Sequence, residues 1–422
     1  MKKILIGISL LTALCSCHPD DDEESKPSVE EASRTVLVYM AAENNLASFS
    51  DDDLNEMKTG SLSLSKDQNL VVYINRAGAT TPPYLARVRQ GELVDTVYMP
   101  KGVAADPNVL TSALQQAITS FPAESYGLVL WGHGSGWHYG TEYMAPAQSR
   151  AYGGSTGNNT SSGSGKYWMN IPQMSKAIKD AIGGNKLKFI LADCCNLGSI
   201  EIAYELRRVT DYYIASPAEI PDSGAPYDLL TTEMFKADTY YQDIIDAYYN
   251  YYLEAFAVNT TLFYNRTYGD LTGFSLPLAA VKCDELESFA SATAELLSTI
   301  GEKLSPSGAV DYEGILAYEL YSGYVCGYDM KHLMKKNVTQ SDFAAWEKFL
   351  DKTIPYSTFS SEWLVAPSHL KLMDIMNIST TTIDDAASVS MYLPDTKYSQ
   401  TFNSDIMKYE WSQVVNWTRY GW

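Results

Sequence analysis

Leu128-Val129-Leu130-Trp131-Gly132-His133-Gly134 and Phe189-Ile190-Leu191-Ala192-Asp193-Cys194-Cys195 decide how this chain folds. Each is a short apolar run that stops at a residue able to do acid-base or nucleophilic chemistry. Runs of this length, bounded by glycine or polar residues, read as strands buried on both faces of a parallel sheet. Open α/β sheets place their reactive groups beyond the carboxyl ends of such strands. A histidine and a cysteine at neighbouring strand ends predict a Cys/His dyad.

The periodic pattern continues on both sides of these runs. Thr35 to Met40 is a β-branched, apolar strand, and Asp51-Asp52-Asp53 set acidic side chains in the first turn of a helix carrying Leu54 and Met57. Asn69 to Ile74 is the next strand. Tyr84 to Arg89 and Leu93 to Met99, separated around Gly91, read as a hairpin of more polar, edge-like strands. Leu110, Leu114 and Ile118 mark one face of a helix from Pro107 to Ser120. After the His133 strand come a helix from Pro172 to Ile182, the strand ending at Cys195, a helix from Ser199 to Arg208 and a strand from Asp211 to Ala215. Strands alternating with helices predict an α/β fold, a mostly parallel sheet flanked by helices on both faces.

The second half is richer in helix. Asp243 to Phe256 carries Tyr248, Tyr249, Tyr251 and Tyr252, a stripe that reads as packing with hydroxyls at the rim rather than as a platform for sugars or peptides. Another helix covers Cys283 to Leu304, and strands near Gly273 to Val281 and Ala387 to Leu393 return the chain to a sheet. Residues 34–235 are thus expected to form a core and 236–422 a helix-rich C-terminal part packed on it. Within the core, residues 145–166 include Gly153-Gly154-Ser155-Thr156-Gly157-Asn158-Asn159 and continue in the same composition to Gly165. Such a stretch does not offset its ordering entropy, so an exposed, mobile loop open to proteolysis is expected.

Residues 1–16 have the build of an export signal. Lys2 and Lys3 precede an apolar stretch from Ile4 to Leu14 that is too short to span a bilayer. Leu14-Cys15-Ser16-Cys17 resembles the lipobox of bacterial lipoproteins with Cys17 as the lipidated residue; an ordinary cleaved signal peptide is the alternative. Residues 17–33, with Asp20-Asp21-Asp22-Glu23-Glu24, predict a solvated acidic tether. An acidic cluster behind the lipidated cysteine resembles the export signal of surface lipoproteins, which implies an outer-membrane protein exposed at the cell surface; a plain spacer is the alternative reading.

The net charge of −20 leaves no basic stripe to neutralise phosphates, so nucleic acid is excluded as a partner, and cationic peptides suit the surface better. Beyond the export segment stand only Cys194, Cys195, Cys283 and Cys326, too sparse for a disulfide scaffold, and the adjacent pair points to opposite faces of any strand it ends. There is no C-x-x-C or H-E-x-x-H, and the histidines are scattered, so no metal site is predicted.

A thiol at its ordinary pKa is barely ionised near neutral pH and needs a histidine or a helix N-terminus to activate it. Cys195 precedes a helix starting near Ser199, whose dipole is expected to favour the thiolate. Asp193 shares the face of Cys195 in extended backbone. It either orients the histidine, or floors a pocket for a cationic side chain through charge-assisted bonds, or is a buried carboxylate satisfied by backbone amides. Glycines on both sides of His133 allow close approach of a substrate carbonyl, and the amides of Gly134 and Cys195 are positioned to donate to an oxyanion. His138 is the rival base, disfavoured because it is not at a strand end. Gly134-Ser135-Gly136 brings a serine hydrolase into view, but G-x-S-x-G requires glycine where His133 stands.

Tyr39-Met40-Ala41-Ala42-Glu43-Asn44-Asn45-Leu46, Trp131-Gly132-His133-Gly134-Ser135-Gly136-Trp137 and Asp193-Cys194-Cys195-Asn196-Leu197-Gly198-Ser199-Ile200-Glu201 resemble, in that order, signature blocks of the clostripain family of cysteine peptidases. The resemblance extends to Ser216-Pro217-Ala218-Glu219-Ile220-Pro221 and Val389-Ser390-Met391-Tyr392-Leu393-Pro394. It implies a caspase-like fold and cleavage after Arg, in some members after Lys. His133 then corresponds to the general base, Cys195 to the nucleophile and Asp193 to part of an acidic S1 pocket. The family's Asp-Ala-Cys triplet is here Asp193-Cys194-Cys195, and alignment through Gly198-Ser199-Ile200-Glu201 selects Cys195. Glu219 and Asp222 lie in the loop where further S1 residues are expected.

Members of the family are often zymogens that cut themselves in the loop after the histidine strand. Arg150-Ala151 is the preferred bond here and Lys166-Tyr167 the alternative. No cofactor is expected; some relatives depend on calcium, for which Glu43 and Asp51 to Asp53 offer oxygen ligands without EF-hand spacing. The chain is expected to be a monomeric, lipid-anchored cysteine endopeptidase acting on peptides or proteins with Arg or Lys at the cleaved bond. A catalytically silent, peptide-binding lipoprotein of the same fold is the alternative.

Overall fold

In a computed structural model of the protein, strand β1 (Arg34–Ala42) is buried along its whole length because it lies inside a sheet covered on both faces. Its side chains alternate between two cores, Leu37, Tyr39 and Ala41 entering one and Val36, Val38 and Met40 the other. Each large apolar side chain so buried stabilises the fold by about 1.5–3 kcal/mol.

The chain continues through α1 (Phe49–Ser61), β2 (Gln68–Arg76), the hairpin β3 (Tyr84–Arg89) and β4 (Glu92–Tyr98), α2 (Pro107–Ser120) and β5 (Tyr126–Trp131). A small sheet follows from β6 (His133–Gly134), β7 (Tyr152–Ser155) and β8 (Tyr167–Met169). Then come α3 (Ile171–Ile182), β9 (Leu187–Asp193), α4 (Ile200–Leu206), β10 (Thr210–Ala215), α5 (Tyr227–Glu233) and α6 (Tyr240–Val258). The C-terminal part adds β11 (Leu278–Lys282), α7 (Leu286–Ile300), β12 (Ala317–Tyr321), β13 (Tyr324–Asp329), α8 (Met330–Asn337), α9 (Gln340–Thr353), β14 (Tyr356–Thr358) and β15 (Ser390–Met391). Helices α10 (Gln400–Ile406) and α11 (Glu410–Val415) follow.

Among the described residues, nine strands form the main sheet in the order β14-β11-β10-β9-β5-β1-β2-β3-β4. From β10 to β2 all neighbours are parallel. The β3–β4 hairpin closes one edge antiparallel, and β11 with β14 closes the other. Because the chain leaves β1 toward β2 on one side and later places β5 on the other, the carboxyl ends of β1 and β5 flank the point where strand order reverses. Ligands of open α/β sheets bind at such a point.

The structure describes residues 31–139, 151–157, 167–258, 276–321, 324–359, 386–398 and 400–422, all within one compact unit, Glu31–Trp422. The export segment with Cys17, and Arg150 and Lys166, lie outside the described residues. The fold begins slightly earlier than Arg34: Ala32 is buried and bridges to Ala123.

The larger departure concerns residues 151–157, the described part of the 145–166 stretch expected as one exposed loop. Ala151, Tyr152 and Ser155 are fully buried, and β7 pairs with the strand carrying His133. The glycines here serve close approach rather than freedom. Gly153 adopts φ 110°, and a Cβ on it would lie 2.8 Å from that of Ala105; Gly154 adopts φ 62° and packs beside Trp168 and His133. The strand read at Ala387 to Leu393 is also shorter than expected, and β15 joins β13 in a separate sheet rather than the main one.

Gly198 shows the same economy of space. Its amide donates to the Ser216 carbonyl at 2.7 Å and its carbonyl accepts from the Ser390 amide at 3.0 Å. A Cβ there would sit 2.4 Å from the backbone nitrogen of Pro217, which has no flexible end to move aside. Gly198→Ala is expected to lower unfolding free energy by about 1–3 kcal/mol, read from urea denaturation. An unchanged midpoint would show that this approach is not tight.

Candidate active site

Strands β5 and β9 pair with Trp131 opposite Asp193. His133 and Cys195 each follow that pair by two positions, so equal offsets from one register carry both side chains out at the same end of the sheet. They line a single cavity of about 310 Å³, together with Asn45, Asp193, Glu219 and Asp222. All five residues read from the sequence as dyad and acidic pocket therefore meet in one place.

Beyond β9 the chain turns sharply. Asn196 takes φ 58° and its amide donates to the Ala218 carbonyl at 2.8 Å, while the Tyr213 hydroxyl donates to the Leu197 carbonyl at 2.9 Å. This turn separates the two cysteines. Cys194 is buried in the core with its thiol donating to the Leu130 carbonyl at 3.1 Å, whereas Cys195 is half-buried and faces the cavity. Gly134 packs on the same turn: a Cβ on it would stand 2.3 Å from the Cys195 carbonyl oxygen, so only glycine brings the two backbones this close.

The imidazole of His133 is partly exposed and bordered by Asn45, Trp168 and Gly154. Its Nε2 lies 2.8 Å from Oδ1 of Asn45, its ring is tilted over Trp168 at a centroid distance of 6.3 Å, and Gly154 abuts its Cδ2 edge. His138 is buried against Trp137 and Phe402 and does not line the cavity. Ala151 is buried, and its carbonyl accepts from the Ser135 amide at 3.0 Å, next to the histidine strand.

Asp193 closes the cavity floor. One carboxylate oxygen accepts from the Ala225 amide at 3.2 Å and the Tyr227 hydroxyl at 2.8 Å, the other from the Tyr248 hydroxyl at 2.9 Å. Burial nonetheless raises its pKa, with these three donors opposing the rise. Asp53 lies behind it, accepting from the Trp131 indole, and both carboxyls come close to Gly224, whose Cβ position is 3.0 Å from Asp193 and 3.5 Å from Asp53. Burial, then the neighbouring Asp193 charge, push Asp53 up to about 9. Asp51 instead pairs with Arg76, so these acids point to different partners. Among the described residues no group of three or more His, Cys, Asp or Glu side chains is placed to hold a metal ion.

Helix α4 begins beyond the turn, and its free amide at Ile202 is capped by Ser199 Oγ at 3.3 Å. Burial and the Glu219 charge push the Cys195 thiol up to about 12, opposed by the Ile220 amide, which donates to Sγ at 3.5 Å.

The family model for the clostripain family matches residues 38–422. The chain belongs to the clostripain family of cysteine peptidases. It is similar to a secreted C11 cysteine protease from Bacteroides thetaiotaomicron, solved with an irreversible peptide inhibitor, at 27% identity over 92% of this chain and 99% of that one, with a TM-score of 0.70. An inactive zymogen C11 protease from Parabacteroides distasonis shares the fold at 23% identity, 91% and 98% coverage and a TM-score of 0.69. Comparison with curated protein sequences returns no match. The architecture is thus the caspase-like one of the family, a mostly parallel sheet with helices on both faces.

The family blocks that lie far apart in sequence also meet in space. Ser390 bridges Ser199, and the Tyr392 amide donates to the buried Glu201 carboxylate at 2.9 Å. Residues absent from the sequence reading of the site are Tyr227, Tyr248, Asp53 and Asn45. The tyrosine stripe on α6 was the available signal: its spacing places Tyr248 and Tyr252 on one face, and their hydroxyls reach Asp193 and the Gly224 carbonyl.

Asp53 yields a pH test. The unfolded chain ionises this carboxyl near its ordinary 3.8, while the fold holds its proton up to about 9. Its contribution is therefore fully present below the lower value and is lost as pH rises toward the upper one. Asp53→Asn, neutral at every pH, is expected to flatten the fall in melting temperature across that window, melting about 4 °C or more above the parent at its alkaline end. Superimposable melting profiles would show that the carboxyl is not held protonated.

Proposed function

We propose that this chain is a lipid-anchored cysteine endopeptidase of the cell envelope that cleaves peptide bonds after Arg and, second to it, after Lys. One observation carries the reading: His133 and Cys195 line the same cavity as Asp193, Glu219 and Asp222. Carboxylates in a partly dry pocket favour a guanidinium through charge-assisted, bidentate bonds, and an ammonium less specifically.

In the mechanism, His133 takes the proton of Cys195 as sulfur attacks the scissile carbonyl carbon. The negative charge gathers on the carbonyl oxygen, where the backbone amides of Gly134 and Cys195 donate to it. Collapse of this tetrahedral species breaks the C–N bond, and the His133 imidazolium gives its proton to the leaving amine. Water then hydrolyses the thioester with His133 as base, returning the free thiol. This sequence uses peptide, water and groups of the chain alone.

The anchor is Cys17 at the end of the export signal, with the acidic tether holding the protease at the outer surface. Maturation proceeds by self-cleavage at Arg150-Ala151, the bond immediately before β7 and its pairing with the His133 strand.

Matched fluorogenic Arg, Lys and Ala amides test the reading. Arg is expected to be cut fastest and Ala slower by about 10³-fold or more, with Cys195→Ala lowering kcat by about 10³-fold or more. Activity that survives Cys195→Ala, or an Ala substrate cut as well as Arg, would overturn it. Mass spectrometry of active protein from membranes is expected to show a lipid-modified Cys17 and a new N-terminus at Ala151; an unbroken active chain would refute maturation by cleavage.

A further inference from the structure

We propose that Asn45 is a positioning residue for His133, fixing which ring nitrogen carries the proton and thereby making the other the base. The inference rests on the peptidase reading for its catalytic consequence, and on geometry for the hold itself. Asn45 stands just beyond β1, in a turn built to be rigid. The side chain of the buried Asn44 donates to the carbonyls of Ala41 at 2.9 Å and Gly153 at 3.1 Å, and its oxygen accepts from the Leu46 amide at 2.9 Å. The Thr156 amide donates to the Glu43 carbonyl at 2.8 Å, a second tie from the β7 segment. The strand that pairs with His133 therefore also grips the turn that presents Asn45.

The carboxamide oxygen of Asn45 lies 2.8 Å from Nε2 of His133. An amide oxygen only accepts, so this contact requires the proton on Nε2 and leaves the lone pair on Nδ1. Two further neighbours restrict rotation of the ring: Trp168 over its face and Gly154 against its Cδ2 edge. When the imidazolium forms, the same oxygen accepts a stronger, charge-assisted bond from Nε2–H. Asn45 acts through the ring, as the third member of triads generally does.

The test combines kinetics with nitrogen NMR of the full-length protein labelled at histidine, the His133 signal being assigned by its loss in His133→Ala. The ring measurement is made in a Cys195→Ala background. With Asn45 present, Nε2 is expected to show the protonated shift. Asn45→Ala is expected to mix the tautomers and lower the pKa of the ring. In the active protein the same change lowers kcat by about 10- to 100-fold, part of the about 10²–10⁴ that a positioned base supplies, with KM nearly unchanged. Asn45→Asp keeps an acceptor, so it is expected to restore the Nε2–H tautomer, raise the ring pKa and recover most of kcat. A wild-type kcat in Asn45→Ala, or an unaltered tautomer in that variant, would overturn the proposal. Because the NMR needs no turnover, a wild-type chain that hydrolysed nothing would end the peptidase reading while the hold on His133 was still decided by the ring shifts.

Discussion

A carboxylate at the end of a buried strand is the constraint on which the rest of the site depends. Asp193 sits where β9 leaves the sheet, almost wholly removed from water. An ion left unpaired in such a place costs several kcal/mol, so the chain surrounds it with donors. Those donors come from different segments: the amide of Ala225, the hydroxyl of Tyr227 at the start of α5, and the hydroxyl of Tyr248 on α6. Leaving the carboxylate without one of them costs about 1–3 kcal/mol. The docking of α5 and α6 against the sheet and the shape of the cavity floor are thus parts of one solution to a solvation problem.

The second constraint is backbone proximity. Gly134 rests on the Cys195 carbonyl, Gly153 on Ala105, Gly154 on His133, and Gly198 between Ser216 and Pro217. At each point a methyl group would push apart two segments that carry or hold a site residue. The small sheet of β6, β7 and β8 translates this packing into orientation. Because β7 pairs with His133 and accepts the Asn44 side chain, displacement of β7 moves the histidine and the turn beyond β1 together.

The parallel core was legible because its signal is local and strong. Apolar runs such as Leu128 to Trp131 and Phe189 to Ala192 have no other stable use, and the equal offset of His133 and Cys195 from the Trp131–Asp193 pair follows from strand register. What was not legible depends on partners distant in sequence. Gly153 and Gly154 look the same whether glycine serves freedom or close approach, and only Ala105 and Trp168 distinguish the two. The turn between Cys195 and α4, and the action of Ile220 and Glu219 on the sulfur, were hidden because those contacts join segments far apart in the chain. The hydroxyls of Tyr248 and Tyr252 read as rim groups because their acceptors belong to β9 and to the loop before α5.

On the proposed reading, the same field that favours a cationic side chain works against the nucleophile. Glu219 and Asp193 both raise the Cys195 thiol, while the Ile220 amide and a backbone bond at Cys195 itself oppose them. On the proposed reading, a guanidinium entering the cavity offsets those charges while displacing water, so it favours ionised Asp193 and ionised Cys195 together. A neutral side chain does neither. Discrimination then enters the chemical step as well as binding, since the right side chain changes the charge state of the attacking group. Asn45 fits the same logic: with the proton held on Nε2 of His133, the ring is ready to accept the thiol proton at the moment the pocket is neutralised.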